Sequence, residues 1–203
     1  MTTFLLIRHA VTSDIGVRLS GRGRDPRLSP TGRSQAVMLA ARLRRLRLGA
    51  VYASPLQRAI ETATPIATSH ALEIETCEAF CDLDFGDWTG RSFEELRDDP
   101  EWRAFNAARA TCRAPGGERM DEVQRRAVAE LERVHGRHPD ATVAIVSHAD
   151  VIRAVLLHYL GIPMELYARL EIDPASVSVL ELRPGAIRLL RLNDTGRMLP
   201  ADR

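Results

Sequence analysis

Two arginines and two histidines stand at positions where they could share one site. Arg8 and His9 directly follow one short apolar run, and His148 closes a second apolar run far along the chain. Arg58 lies near the start of a predicted helix, where a basic side chain is unfavourable unless it faces an anion. Arginine offers a planar fork of donors for phosphate or carboxylate, and a neutral imidazole is a nucleophile near physiological pH. The four residues therefore predict an anion site, and a histidine held in such a site can attack phosphorus.

The elements that would position these residues are two buried strands. Residues 3–7 and 142–146 are almost entirely apolar, which is typical of strands in a parallel sheet that helices cover on both faces. Ligands of such sheets bind beyond the carboxyl ends of the strands, where His9 and His148 would lie. Arg8 and His9 alone could equally mark the exit of a strand into solvent. The second strand that ends in a histidine favours a shared site.

The remaining pattern predicts an α/β fold, a three-layer αβα sandwich with a mostly parallel central sheet. Ser29 and Pro30 predict the start of a first helix that ends at Gly49, and Pro65 is expected to kink or end the second helix. Helices are predicted over 30–48, from 54–55 onward, over 118–138 and over 151–160, and the further strands over 50–53, 72–76, 176–182 and 186–192, the last two as a hairpin.

Two segments outside these elements could form the walls of the site. Residues 77–117 are predicted to be a small helical lid, with short helices over 93–98 and 101–109. The loop over 11–28 is rich in glycine and arginine and could receive an anion, because glycine permits close approach of the backbone. Gly21 of this loop is a candidate for substrate binding.

The composition is that of an ordinary globular protein and argues against several partners. With 203 residues, 45% of them hydrophobic, the chain fits one domain over 1–203. A net charge of +1 gives no reason to expect nucleic acid or an anionic membrane as a partner, and no apolar run is long enough to span a bilayer. The chain contains no lysine, so a lysine nucleophile is excluded. A homodimer is possible.

The cysteines and the first residues predict a cytoplasmic protein. Cys77, Cys81 and Cys112 are too few and too irregularly spaced for a disulfide framework or a metal site, and they suit a reducing compartment. A strand begins almost at once, with no basic segment or cleavage site of a signal peptide before it.

Six short motifs, taken in order, resemble those of the histidine phosphatase superfamily, in its phosphoglycerate mutase-like branch. The sequence around Arg8-His9 resembles the Arg-His-Gly signature of the family. The other five motifs lie at 28–36, 54–63, 84–90, 115–118 and 146–153. Because they cover nearly the whole chain in the family's order, the resemblance is far more specific than a lone Arg-His pair, and it implies a phosphoglycerate mutase-like fold with a lid.

The resemblance also implies catalytic roles. His9 would be the nucleophile that becomes phosphohistidine, while Arg8, Arg58 and His148 would bind the phosphoryl oxygens. Asp82 stands where the family places an acid, usually glutamate, and it would protonate the leaving alkoxide and then activate water.

Further substrate contacts and the absence of cofactors follow from the same resemblance. Thr12 stands where the family often places a hydroxyl or amide against the substrate. Arg8, Arg58 and His148 are expected to bind substrate as well as to act in catalysis. No metal and no cofactor are expected, because arginines supply the positive charge.

Three departures from the family pattern bear on these roles. Asp82 is one methylene shorter than the usual glutamate, which shortens its reach. Ala10 replaces a glycine, so this position must avoid a positive φ or carry strain. Asp150 follows the second histidine closely and is a second candidate acid, although Asp82 is preferred. Asp84 is expected to shape a turn.

The function that these residues predict is hydrolysis of a small phosphorylated metabolite by a phosphomonoesterase. The lid most resembles that of α-ribazole phosphatases and broad-specificity phosphatases. A cofactor-dependent phosphoglycerate mutase is the enzymatic alternative, although acids outnumber arginines in the lid and make a second phosphate site less favourable. A phosphoprotein phosphatase, or a module that binds phosphorylated residues without turnover, is the remaining alternative.

Overall fold

Six strands and six α-helices lie within residues 1–196, which are the residues described in the computed structural model of the chain. The strands are β1 Thr2–Arg8, β2 Leu48–Ala53, β3 Ile74–Thr76, β4 Thr142–Ser147, β5 Val177–Arg183 and β6 Ala186–Asp194. The α-helices are α1 Pro30–Leu43, α2 Gln57–Ser69, α3 Phe93–Arg97, α4 Pro100–Ala107, α5 Met120–Arg137 and α6 Ala149–Leu160. The end of the predicted domain, 197–203, lies outside the described residues.

The strands form one sheet in the order β3-β2-β4-β1-β5-β6. Strands β3, β2, β4 and β1 run parallel, while β5 and β6 are antiparallel to their neighbours. The chain places β2 and β3 at one side before it returns to insert β4 between β2 and β1. This crossover makes β1 and β4 neighbours although they lie far apart in the sequence. The predicted α/β sandwich with a mostly parallel sheet is confirmed.

The side chains of β1 point alternately into two hydrophobic cores, one on each face of the sheet. Phe4 and Leu6 pack on the face that α5 and α6 cover, and Leu5 and Ile7 pack on the face that α1 and α2 cover. Successive side chains of a strand point to opposite faces, so a run that is apolar at every position must be covered on both. The fully buried strand is therefore a rigid support for the residues that follow it.

The lid belongs to the core on the side of α5 and α6. Trp88 is 2% exposed, and its ring lies 5.2 Å from that of Trp102 and 5.3 Å from that of Phe105. The short helices α3 and α4 have almost the predicted bounds. Because its aromatic side chains share one core with the sheet, the lid is a fixed wall of the site in this structure.

Some of the predicted boundaries are wrong. Helix α1 ends at Leu43, and Gly49 is a strand residue in β2, because Leu48 already pairs with Thr142 of β4. Helix α2 continues through Pro65 and ends at Ser69. Pairing with a neighbouring strand overrides the local stop signal in the first case. Burial of one face of α2 compensates for the missing amide hydrogen bond in the second.

Close approach of two backbones at Gly32 fixes the loop that follows His9. The Ser29 side chain caps α1 by accepting a hydrogen bond from the amide of Gly32 at 3.1 Å. A Cβ at Gly32 would stand 2.0 Å from the carbonyl oxygen of Val11. A side chain here would therefore push the loop after His9 away from α1.

We expect Gly32→Ala to lower the free energy of unfolding by about 1–3 kcal/mol, because the clash with the Val11 backbone has no flexible side chain to relieve it. Gly136→Ala is the matched control, since a Cβ at this exposed helical position would meet no atom within 4 Å. It should instead stabilise α5 by about 0.5–1 kcal/mol. Urea unfolding of both variants measures the difference, and equal stabilities would contradict this packing.

Candidate active site

The carboxyl ends of three neighbouring strands bring two histidines and a serine together. The amide of His9, after β1, donates to the Ser147 carbonyl of β4 at 2.9 Å. The amide of Ser54, after β2, donates to the Val146 carbonyl at the same distance, 2.9 Å. The rings of His9 and His148 are then 5.2 Å apart, centroid to centroid. The structure thus places the two histidines in one site, as the two strand ends predict.

The hydrogen bond of the His9 ring decides its tautomer. Nδ1 lies 2.8 Å from the carbonyl oxygen of Ala10, and a carbonyl can only accept, so Nδ1 carries the hydrogen. The lone pair of the neutral ring is therefore on Nε2. Ala10 does not have a positive φ, and its amide donates to the Thr62 hydroxyl at 3.0 Å. Alanine in place of the family's glycine thus causes no backbone strain here.

Burial keeps both imidazoles neutral. Burial lowers the pKa of His9 well below its ordinary value, and His148, Arg58 and Arg8 lower it further. Burial also lowers the pKa of His148 well below its ordinary value, with Arg58 as the next cause. Each ring thus keeps a lone pair at neutral pH, which nucleophilic attack requires.

The two predicted arginines lie beside the histidines and are buried to different degrees. Arg58 is 1% exposed and donates from Nη2 to the Gly21 carbonyl at 2.8 Å and to Asp82 Oδ2 at 2.9 Å. Arg8 donates from Nη1 to the Ile172 carbonyl at 2.6 Å, while its buried Nε has no hydrogen-bond partner within residues 1–196. Burial lowers the pKa of Arg8, although Asp150 and Asp82 oppose this. Both guanidinium groups suit a phosphoryl anion.

Asp82 lies between Arg58 and His148, next to His9. Its Oδ1 accepts from the Leu83 amide at 2.9 Å, and its Oδ2 lies 3.5 Å from Nδ1 of His148 as well as against Arg58. Asp82 lines both cavities that open at His9. The predicted acid is therefore within the site, despite the side chain being shorter than glutamate.

An ion-pair network holds the backbone of Asp82, and the sequence patterns did not reveal it. Arg22 Nε donates to the Asp82 carbonyl at 2.8 Å, and Arg126 Nη2 donates to the same oxygen at 3.1 Å. Glu118 accepts from both arginines and, at 3.0 Å, from the amide of Asp84. Asp84 shapes the turn, because its Oδ1 accepts from the Gly86 amide at 2.9 Å. These contacts fix the backbone from which the Asp82 side chain extends into the site.

Asp150, the second candidate acid, is engaged elsewhere. Its Oδ2 lies 2.9 Å from Nη1 of Arg109, and its Oδ1 accepts from the Tyr167 hydroxyl and lies 3.5 Å from Arg153. Of the two cavities that open at His9, Asp150 lines only the larger. Its oxygens already have three partners, which favours Asp82 as the acid.

Two cavities meet at His9. The smaller holds about 130 Å³ and includes Thr12 and Gly21 in its wall, and the larger holds about 370 Å³ and includes Trp102 and Arg109. Five residues line both: Arg8, His9, Leu19, Asp82 and Phe93.

Thr12 and Gly21 lie in the smaller cavity for different structural reasons. Thr12 is 4% exposed and bridges to Leu28 across the loop after His9. Gly21 has a φ of +50°, which favours glycine, and its carbonyl holds Arg58. Gly21 therefore positions Arg58, a contact that the sequence patterns did not predict.

Neither a metal cluster nor a membrane helix is found in the part of the chain that the structure describes. Residues 1–196 contain no group of three or more His, Cys, Asp or Glu side chains arranged to hold a metal ion. No helix among them is long and apolar enough to span a bilayer. Cys77, Cys81 and Cys112 are free thiols.

The chain matches a known protein family. The sequence model of the histidine phosphatase superfamily, branch 1, matches residues 4–195. The chain belongs to this family. The family membership that the six motifs predict is thereby confirmed, and the chain is an enzyme of the histidine phosphatase type.

Relatives of this histidine phosphatase cover almost all of it. Phosphoserine phosphatase 1 of Hydrogenobacter thermophilus is 34% identical over 197 residues, with 96% of this chain and 93% of that protein covered. Bifunctional protein Rv2228c of Mycobacterium tuberculosis is 36% identical over 199 residues, which are 96% of this chain and 54% of that protein. This chain thus spans about half the length of that relative.

A solved structure shows the same fold. The phosphoserine phosphatase mutant of Entamoeba histolytica, in complex with phosphoserine, superposes with a TM-score of 0.87 at 27% identity. The match covers 98% of this chain and 100% of that one.

We expect the free energy of unfolding to fall as the pH falls below about 6.5, the ordinary histidine pKa. In that range the unfolded chain binds protons that the buried neutral His9 and His148 do not, so stability decreases by up to about 1.4 kcal/mol per pH unit for each histidine. Above that pH the contribution is constant.

Urea unfolding between about pH 5.5 and 7.5 tests this, above the range in which ordinary carboxyl groups titrate. His148→Gln should make the slope below pH 6.5 shallower, whereas the control His158→Gln, at an exposed position of α6, should keep it. A wild-type stability that does not change across this range would contradict neutral buried imidazoles.

Proposed function

We propose that this histidine phosphatase hydrolyses small phosphomonoesters in two steps, through a phosphoryl group carried on Nε2 of His9. The observation that carries the proposal is the neutral His9 ring, whose Nδ1–H is bound to the Ala10 carbonyl while Nε2 faces a site with two arginines. The relatives named as phosphoserine phosphatases support a small phosphorylated metabolite as the substrate.

In the first step, Arg8 and Arg58 bind the phosphoryl oxygens and neutralise the charge that they carry. Nε2 of His9 attacks phosphorus, and the bond from phosphorus to the ester oxygen breaks. Asp82 takes up a proton when the phosphoryl group displaces it from Arg58, and it gives this proton to the departing alkoxide. The incoming phosphoryl group competes with Asp82 for Arg58, which contacts both the carboxylate and the site.

In the second step, water attacks the phosphorus of phosphohistidine and Asp82 takes a proton from it. The bond from phosphorus to Nε2 breaks, its electron pair returns to His9, and inorganic phosphate leaves. The two arginines supply the positive charge that a metal ion would otherwise provide, so the proposed route uses neither metal nor cofactor.

His148 has a separate role at the phosphoryl group. Its Nε2 lies 2.8 Å from the Ser54 hydroxyl, and its buried Nδ1 has no hydrogen-bond partner within residues 1–196. We assign the Ser54 hydroxyl as the donor to Nε2, which places the ring hydrogen on Nδ1. That N–H then faces Asp82 and the reacting centre, where it donates to a phosphoryl oxygen. In this assignment Ser54 sets the tautomer of His148.

The cytoplasmic location and the possible homodimer stay predictions. Three free thiols, Cys77, Cys81 and Cys112, support a reducing compartment.

Substitution of His9 and Asp82 should separate the two roles. We expect His9→Ala to lower kcat by at least about 10⁴-fold, because it removes the proposed nucleophile, and Nε2 of the neighbouring His148 ring is engaged by the Ser54 hydroxyl. Asp82→Asn should lower the rate on alkyl phosphates by about 10²–10⁴-fold. With p-nitrophenyl phosphate, whose leaving group needs no proton, the same variant should release one equivalent rapidly and then turn over slowly.

Stopped-flow and steady-state kinetics on both substrates measure this pattern. Asp87→Asn, an exposed acid of the lid, is the control and should behave as wild type. If Asp150→Asn shows the leaving-group dependence instead, Asp150 is the acid. Rapid interconversion of phosphoglycerates without phosphate release would make the chain a mutase, and phosphate binding without turnover would make it a binding module.

A further inference from the structure

We propose that the larger cavity binds a carboxylate on the alcohol portion of the substrate, so that this phosphatase prefers phosphate esters of hydroxy acids. The inference rests on the proposed function, because it places the phosphoryl group at His9 and the leaving group in the larger cavity. Two arginines of that cavity, Arg109 and Arg153, form the proposed site.

The larger cavity is the roomier place for a leaving group. It holds about 370 Å³ against about 130 Å³ for the smaller one. His9, His148 and Asp82 all line it, so a substrate with phosphorus at His9 extends into it directly. Arg109 and Arg153 line the same cavity.

Packing against aromatic rings holds the two guanidinium groups in place. The Cζ atom of Arg109 lies 4.8 Å from the centre of the Tyr167 ring and 4.8 Å from that of Phe105. The Cζ atom of Arg153 lies 4.9 Å from the Tyr167 ring, and its Nε donates to the Leu170 carbonyl at 2.7 Å. An arginine that is fixed before binding loses little side-chain entropy when it binds a carboxylate.

The charges of the cavity wall leave it electropositive. Arg109 and Arg153 together face one buried carboxylate, that of Asp150. Two other acids lie nearby. Asp82 is paired with Arg58 at 2.9 Å, and the side chain of Glu171 is 80% exposed and lies 3.8 Å from Arg153 Nη2, so solvent screens it. One positive charge therefore remains without a buried partner.

The wall offers hydrogen-bond donors, whereas its acceptors are occupied. Both oxygens of Asp150 accept from Arg109 or Tyr167, and the Asn106 Oδ1 accepts from Arg109 Nη2 at 2.7 Å. Arg153 Nη2 donates no hydrogen bond within residues 1–196. A group that brings acceptors and negative charge fits this wall better than an ammonium group, which would need free acceptors.

Matched substrate pairs isolate the carboxylate. Phosphoserine differs from phosphoethanolamine, and 3-phosphoglycerate from glycerol 3-phosphate, at the carboxylate position. We expect wild type to prefer the carboxylate member of each pair by about 10- to 100-fold in kcat/KM, as one charge-assisted hydrogen bond provides. Arg153→Gln and Arg109→Gln should each reduce this ratio to within about threefold, with the loss on the carboxylate member.

Arg103→Gln is the control, because it removes the same charge from an exposed position of α4 and should keep the wild-type ratio. Arg153→Lys serves if a glutamine variant fails to fold, and it should lower the ratio because it keeps the charge but loses the planar fork. A wild-type ratio near one, or a ratio that survives both glutamine substitutions, overturns the proposal.

Equilibrium binding to the His9→Ala protein separates this inference from the proposed function. If no phosphomonoester is turned over, the proposed function fails, and calorimetric affinities for the same pairs still decide whether the carboxylate is recognised. The bisphosphate of 1,3-propanediol is a further probe. Tighter binding of this bisphosphate than of phosphoserine would show that the larger cavity binds a second phosphate. That result would overturn the proposal that it binds a carboxylate.

Discussion

The parallel pairing of β1 with β4 is the constraint on which the whole site depends. Arg8 lies opposite Ser147 in this pairing, and the hydrogen bond from the His9 amide to the Ser147 carbonyl continues it beyond the strand. A shift of one residue would turn His9 towards the opposite face of the sheet and away from His148. The core on both faces of β1 prevents that shift, because every apolar residue of the strand is buried in its present register.

Burial at this strand edge sets both the charge and the chemistry of the site. The two imidazoles are neutral because protonating them would place further positive charge beside Arg8 and Arg58 in a desolvated position. Arg58 in turn is compensated by Asp82, and a buried charge that lost its partner would be costly. A bound phosphoryl group supplies the missing negative charge, so the site is more favourable when it is occupied.

Much of the fold and part of the site could be predicted from the sequence. The features that could be predicted depend on consecutive residues, and those that could not depend on contacts between distant ones. Apolar runs that end in Arg8-His9 and Ser147-His148 reveal the strands and their ends, because burial acts on consecutive residues. The Gly49 boundary is wrong because pairing with β4 is not a local property. The contacts of Glu118 with Arg22 and Arg126, and those of Asp150, join elements that are distant in sequence. Only the fold determines which oppositely charged side chains meet.

The central claim is that neutral His9 attacks phosphorus through Nε2, and the position of the covalent phosphoryl group tests it most directly. Acid quenching during turnover would destroy such an adduct, so the Asp82→Asn protein should be trapped in alkali after one turnover of p-nitrophenyl phosphate. Mass spectrometry of its peptides and phosphorus–nitrogen couplings in NMR spectra then locate the group. We predict one phosphoryl group on Nε2 of His9. A phosphoryl group on Nδ1 or on another side chain, or no adduct at all, would contradict the claim.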